Sequence, residues 1–140
     1  MRQPVSLRIP SDAHGAIQEL AKRTGRDFSS VANEMLTEAI KMRRIPGIGF
    51  ADGPTGRRAR IAGTGLDVFE IVQVYRQEQQ DWEHLRSTYH WLSEQQLRAA
   101  LAYAEAYPEE IDDRLRDEER WTPEEIWKRY PFTRPRASPR

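Results

Sequence analysis

The sequence predicts a mainly α chain: one short strand, two helices, a breaker-rich stretch, then a second small helical domain with a short β-hairpin and an acidic helical extension. Three observations carry this. Val5, Leu7 and Ile9 alternate with Ser6 and Arg8, the period-two pattern of a strand with one dry face. Apolar residues then recur at helical spacing through most of the chain. The 22 basic and 22 acidic residues cancel only in total. Residues 1–60 hold 11 basic against 6 acidic side chains, residues 61–130 hold 8 against 16, and the last ten add three arginines. A basic front suits a polyanion and an acidic middle repels one, so the halves are expected to meet different partners.

The elements follow in order. Pro10 stops strand pairing, and Ser11 or Asp12 can cap a helix over 12–23 with Ala13, Ile17, Leu20 and Ala21 on one face. Gly25 supplies the stop, and Asp27 is placed to cap a second helix to about residue 42, with Val31, Met35, Leu36, Ala39 and Ile40 as its apolar face. Residues 45–56 contain Pro46, Gly47, Gly49, Gly53, Pro54 and Gly56, a density of breakers that reads as a linker. Short extended pieces at 57–62 and 66–68, separated by Gly63-Thr64-Gly65, predict the hairpin. Three helices are then expected within 57–107. The first holds Val68, Phe69, Ile71, Val72 and Tyr75, and the second runs over 81–90. The third follows Ser93-Glu94-Gln95-Gln96, which has the capping-box form. Pro108 opens a very acidic helix to residue 120, anchored by Ile111 and Leu115. Thr122-Pro123-Glu124-Glu125 starts a last short helix, so 108–130 forms a helical extension. Residues 131–140, with three prolines and three arginines, are expected to be disordered.

The 140 residues hold one ordinary domain or two very small ones, and a piece of about 40 residues is marginal alone. Dimerisation is the expected remedy, because a lone strand cannot satisfy its own backbone and the same strand of a second chain is its natural partner. The absence of cysteine removes disulfides and thiolate metal sites and fits a reducing cytosol. No run approaches the roughly 20 apolar residues of a membrane span, and no apolar leader follows Arg2. A cytoplasmic chain without membrane contact is expected. His14, His84 and His90 lack ligand spacing. The carboxylates from Glu109 to Glu119 repeat along a wet helical face, and no phosphate loop, nucleophile elbow or triad is found. Neither a metal, nor a cofactor, nor catalysis is expected.

Residues 1–44 resemble a ribbon-helix-helix DNA-binding domain, through the Val5-Ser6-Leu7-Arg8-Ile9 strand, the Gly25-Arg26-Asp27-Phe28-Ser29-Ser30-Val31 turn and the overall length. The resemblance implies a two-fold homodimer whose paired strands enter the DNA major groove. Ser6 and Arg8, with Arg2 at the strand's entrance, then face the bases, and Arg8 forks onto a guanine. It also implies backbone phosphate contacts from the peptide groups of Phe28, Ser29 and Ser30, assisted by Arg26; helix N-termini favour anions independently of family. Residues 48–107 resemble an antitoxin-type helix-turn-helix family, the domain of unknown function 433. The carrying residues are Arg60-Ile61-Ala62-Gly63-Thr64, Val68, Ile71, Leu92-Ser93 and Ala99-Ala100-Leu101-Ala102-Tyr103. Where that family commonly reads Gly-Thr-Arg-Ile this chain has Gly63-Thr64-Gly65-Leu66, and His90 stands where it tends to have proline. The family's link to toxin-antitoxin operons implies a toxin partner with a PIN-like ribonuclease fold.

Trp121, Ile126, Trp127, Tyr130 and Phe132 are large apolar residues in a polar context, and they either fold back onto the second domain or anchor another protein. Arg134 and Arg136 carry charge suited to a ribonuclease's acidic metal site. Arg57, Arg58 and Arg60 read either as a solvated strand edge, where charge blocks unwanted pairing, or as a second nucleic-acid contact. The expected function is that of an operator-binding, homodimeric antitoxin that neutralises a ribonuclease-type toxin. The alternative is a free-standing transcriptional regulator whose second domain serves only oligomerisation or a second DNA contact.

Overall fold

The computed structural model describes residues 3–120 and 122–136. The chain is mainly helical, with seven α-helices and one two-stranded antiparallel sheet among the described residues. It divides into two compact units, Met1–Arg44 and Ile45–Arg140.

In the first unit, residues 3–10 form no ladder within the chain, and Val5 and Leu7 are 84% and 69% exposed. Helix α1 spans Ser11–Thr24, and its capping position is Pro10, which offers no side-chain acceptor. The expected cap at Ser11 or Asp12 is therefore corrected: both lie inside the first turn, where the Asp12 carboxylate still faces the positive end of the helix dipole. Gly25 ends the helix at φ 67°, a left-handed conformation that costs glycine little, and its N–H returns to the Ala21 carbonyl. Helix α2 spans Phe28–Arg44. The two helices enclose only Ile17, Ala21 and Val31, with Leu20, Phe28 and Ala32 packed around them. Of the apolar face expected on α2, Val31 alone is buried, while Met35, Leu36, Ala39 and Ile40 remain exposed.

The second unit begins with a correction. The stretch expected as a linker, 45–56, carries strand β1, Ile48–Gly53, which pairs with β2, Gly56–Ile61, through a two-residue turn at Pro54-Thr55. The register runs from Ile48 opposite Ile61 to Gly53 opposite Gly56. Ile45 and Ile48 enter the core, and burying two such side chains is worth about 1.5–3 kcal/mol each, enough to outweigh the poor strand propensity of Gly49 and Gly53. The hairpin therefore lies one strand earlier than expected. Residues 66–68 add only a single bridge, Asp67 to Arg60, and the Ile61 N–H to Leu66 carbonyl bond.

Five helices follow: α3 Val68–Gln77, α4 Trp82–Thr88, α5 Glu94–Ala106, α6 Pro108–Arg120 and α7 Pro123–Arg129. Asp81 caps α4 by accepting from the His84 N–H, and Ser93 with Gln96 forms a complete capping box on α5. Between α3 and α4 the chain turns through Gln79 and Gln80 at φ 53° and 61°, unusual values for residues with side chains. Ile61, Val68, Ile71, Leu85, Leu97, Ala100 and Tyr103 are almost fully buried where β2, α3, α4 and α5 meet. Helix α6 joins this core through Ile111 and Leu115. Pro131–Thr133, expected without structure, winds into a 3-10 turn in which the Tyr130 carbonyl accepts from the Thr133 N–H and hydroxyl. Residues 137–140 of the expected tail lie outside the described residues.

Candidate functional site

The front segment presents Ser6 and Arg8 to solvent. Arg2 lies outside the described residues. At the start of α2, Asp27 turns its carboxylate onto the helix, and its Oδ1 accepts from the Ser30 N–H at 2.7 Å. Hydrogen bonds from the Ser30 peptide and side chain, with the Arg26 charge adding, hold that carboxyl below the usual aspartate range. Arg26 donates to Glu34 Oε1 at 3.1 Å and to the Ser30 carbonyl at 3.4 Å. Of the expected phosphate contacts, the Ser30 amide is thus engaged by Asp27, and the Arg26 guanidinium is paired with Glu34 while its side chain stays 37% exposed. Ser29 stays exposed, and Phe28 is half-buried with its ring 4.9 Å from that of His14.

At the other end, Trp121 lies outside the described residues. Ile126 and Trp127 are half-buried, Tyr130 and Phe132 are 43% and 85% exposed, and Arg136 is exposed. These side chains stack locally. Tyr130 and Phe132 meet edge to face at 6.1 Å, Arg134 lies 6.0 Å from the Trp127 ring and Arg129 5.9 Å from that of Tyr130. Among the described residues, none beyond Leu115 belongs to the core of the second unit.

The polar centre that sequence reasoning missed is a carboxylate held by two guanidiniums. Asp67, 3% exposed, accepts from Arg58 Nη1 at 2.7 Å and from Arg60 Nε at 2.8 Å. The reading of Arg58 as a solvated strand edge does not hold, since its side chain is nine-tenths buried, and Arg60, 31% exposed, is paired to the same acid. Alternation along β2 puts 58 and 60 on one face, and the bridge at Asp67 brings the acid beneath both. The signal was present as two arginines at strand spacing followed by an acid at the next helix start. Arg57, on the opposite face, reaches Asp52 across the hairpin at 3.4 Å. Thr55 Oγ1, in the turn, accepts from Arg58 Nη2 at 2.6 Å and from Arg114 Nη1 at 2.5 Å, so α6 is tied to the hairpin.

The acidic face of α6 is partly used inside the unit. Glu110 accepts from the buried Tyr103 hydroxyl at 2.7 Å, Asp112 pairs with Arg76 at 2.7 Å, and Asp113 pairs with Arg116. Among the described residues, no cluster of three metal-ligating side chains is found, and no helix is long and apolar enough to cross a membrane. Compared with family models, known proteins and solved structures, the chain gives no match.

Proposed function

We propose that the chain is a homodimeric DNA-binding antitoxin, in which the first unit binds an operator and the C-terminal segment binds a ribonuclease-type toxin. One observation carries the reading of the first unit. It buries three residues of its own, yet leaves an extended segment without a ladder and the face of α2 formed by Leu36, Ala39 and Ile40 in water. A unit of this size does not hold together on so small a core. A second copy supplies both missing halves, since two antiparallel copies of residues 3–10 complete one ribbon and two α2 faces cover each other. The ribbon's polar side then carries Ser6 and Arg8, and a two-stranded ribbon fits the major groove, where an arginine forks onto guanine. The ribbon-helix-helix arrangement and the helix-turn-helix character of the second unit belong to this proposal.

For the toxin, the support is the row of aromatic side chains that stay outside the core, Trp127, Tyr130 and Phe132, flanked by Arg134 and Arg136. Exposed aromatics of this kind fill pockets on partner proteins, and the two arginines complement an acidic catalytic centre.

The experiment is a pull-down of the tagged protein from its host, with identification of both protein and DNA. Co-purification of a small nuclease together with a discrete DNA fragment is the expected result, and DNA without a nuclease makes the chain a free-standing regulator. Arg8→Ala is expected to lose operator binding with the dimer intact, and unchanged affinity refutes the ribbon as reader. Truncation after Glu119 is expected to abolish neutralisation and spare DNA binding.

A further inference from the structure

The C-terminal segment joins exposed rings to positive charge over a short length of chain. Helix α7 parts its charges along its axis, with Glu124 and Glu125 in the first turn and Lys128 and Arg129 in the last. From Ile126 to Arg136 the sequence holds four basic residues and no acid, and over 122–136 four basic against two acidic side chains leave a net charge of +2. Aromatic rings are interleaved with these charges. Arg134 lies 6.0 Å from the Trp127 ring and Arg129 5.9 Å from that of Tyr130, while Phe132, 85% exposed, meets Tyr130 edge to face. Trp127, Lys128, Pro131 and Arg134 line one open groove together with Glu124.

The backbone of the turn is almost free of open donors. Across 130–135, Pro131 and Pro135 have no N–H, and those of Tyr130, Thr133 and Arg134 donate to the Ile126, Tyr130 and Pro131 carbonyls. The Thr133 hydroxyl donates to the Tyr130 carbonyl as well. That leaves the N–H of Phe132. A protein pocket can offer acceptors to open donors, whereas the acyl boundary of a bilayer offers none, so a closed turn carrying aromatic and basic side chains suits the bilayer. We propose that residues 126–136 form an interfacial anchor for an anionic lipid bilayer, in which the Trp127, Tyr130 and Phe132 rings enter the boundary between headgroups and acyl chains and Lys128, Arg129, Arg134 and Arg136 face the lipid phosphates. The acids of α6 oppose attachment, but at physiological salt their field is screened beyond about 8 Å. An anchor of this kind lies in the interface and needs no spanning helix, so the expectation of a chain without membrane contact, drawn from the lack of a span, does not bear on it. The bilayer is a partner besides the toxin and competes with it for the same side chains; the anchor stands whether or not the toxin reading does.

The test is vesicle flotation of the full-length protein, with phosphatidylcholine alone and with phosphatidylcholine containing about one-third phosphatidylserine. Flotation with the anionic vesicles and not with the neutral ones is expected. Each basic residue near such a surface strengthens attachment about fivefold, so the double variant Arg134→Gln/Arg136→Gln is expected to weaken it at least about tenfold. Phe132→Ser removes the most exposed ring and is expected to weaken it about tenfold. These positions lie outside the core, so the variants fold as the wild type does. Arg86→Gln, an exposed arginine of α4, is expected to change nothing. The proposal is overturned if the protein floats with neither vesicle or equally with both. It is equally overturned if either tail variant floats like the wild type, which would place the contact on the basic first unit. A chain that recovers a nuclease from its host but does not float uses the segment for protein docking alone, an outcome that sinks the anchor and keeps the toxin reading.

Discussion

Asp67 and Arg58 meet at 2.7 Å with side chains only 5% and 10% exposed, and the same carboxylate holds Arg60 from its other oxygen. The Asp67 peptide also sits at the capping position of α3, but its side chain makes no capping bond there. The carboxylate is spent on joining hairpin to helix. Asp67→Asn strands a buried guanidinium and is expected to destabilise the chain by about 3 kcal/mol. Arg58→Met is expected to cost less, because Asp67 keeps Arg60. Urea unfolding of the two variants checks the order, and equal small losses would mean that the pair is dispensable.

Gly53 lies directly against that guanidinium. A Cβ at this position would stand 2.4 Å from Arg58 Nε, a buried nitrogen with no hydrogen-bond partner. Because Asp67 and Thr55 pin the group, it cannot swing aside without losing a bond. Gly53→Ala is expected to cost about 1–3 kcal/mol in the wild type and close to nothing in an Arg58→Met background. A double-mutant cycle by urea unfolding reads the difference.

The turn between α3 and α4 stores a small strain. Gln79 and Gln80 hold left-handed backbone conformations that disfavour side chains. Gln80→Gly is expected to stabilise the second unit by about 0.5–1 kcal/mol, seen as a raised melting temperature. A lowered one would show that the glutamine side chain is needed there.

If a second copy covers α2, a charge on its open face breaks the assembly. Leu36 and Ile40 are 53% and 49% exposed in the single chain. Leu36→Lys is expected to shift the protein to the monomer in analytical ultracentrifugation and to lower its helix content. An unchanged mass would place the dimer contact elsewhere.

Asp27 sets an acid limit on the first unit. Its folded pKa lies below the ordinary value because the Ser30 amide and side chain donate to it, with Arg26 assisting. The contribution is therefore fully present above the ordinary aspartate value of about 3.9 and is lost as pH falls through the lower, folded one. Asp27→Asn is expected to flatten the helicity of the first unit against pH below about pH 4. A profile as steep as the wild type's assigns the acid sensitivity to other carboxylates.

How much of this was legible depended on the range of the interaction. Elements set by local chemistry were readable: the Ser93 capping box, the Thr122 cap and the glycine stop at Gly25 all act within a few residues. Strand β1 was not. Its inward pair, Ile48 and Phe50, is short and set among Gly49, Gly53 and Pro54, and burial in the core, with the Phe50 ring against Tyr103 of α5, is what makes it a strand. The Asp67 centre was hidden for a related reason, since three charges scattered over ten residues look solvated until a bridge folds them together. At the start of α2 the Asp27 cap was legible, and it is that cap which occupies the Ser30 amide; the Arg26 to Glu34 pair beside it, eight residues apart, was not.

The hydrogen bond from Arg114 to Thr55 joins residues 59 positions apart, and that separation has a consequence in time. The hairpin and its Asp67 ion pairs lie within about 20 residues of one another and are complete early in synthesis. The clamp that ties the turn to α6 waits for another 47 residues after Asp67. At a synthesis rate of about 5–20 residues per second the nascent hairpin spends roughly 2–9 s with its turn unsecured. During that interval the strands gain α3 and then α5 to pack against, but the turn at Pro54-Thr55 stays untied to α6 and open to a protease.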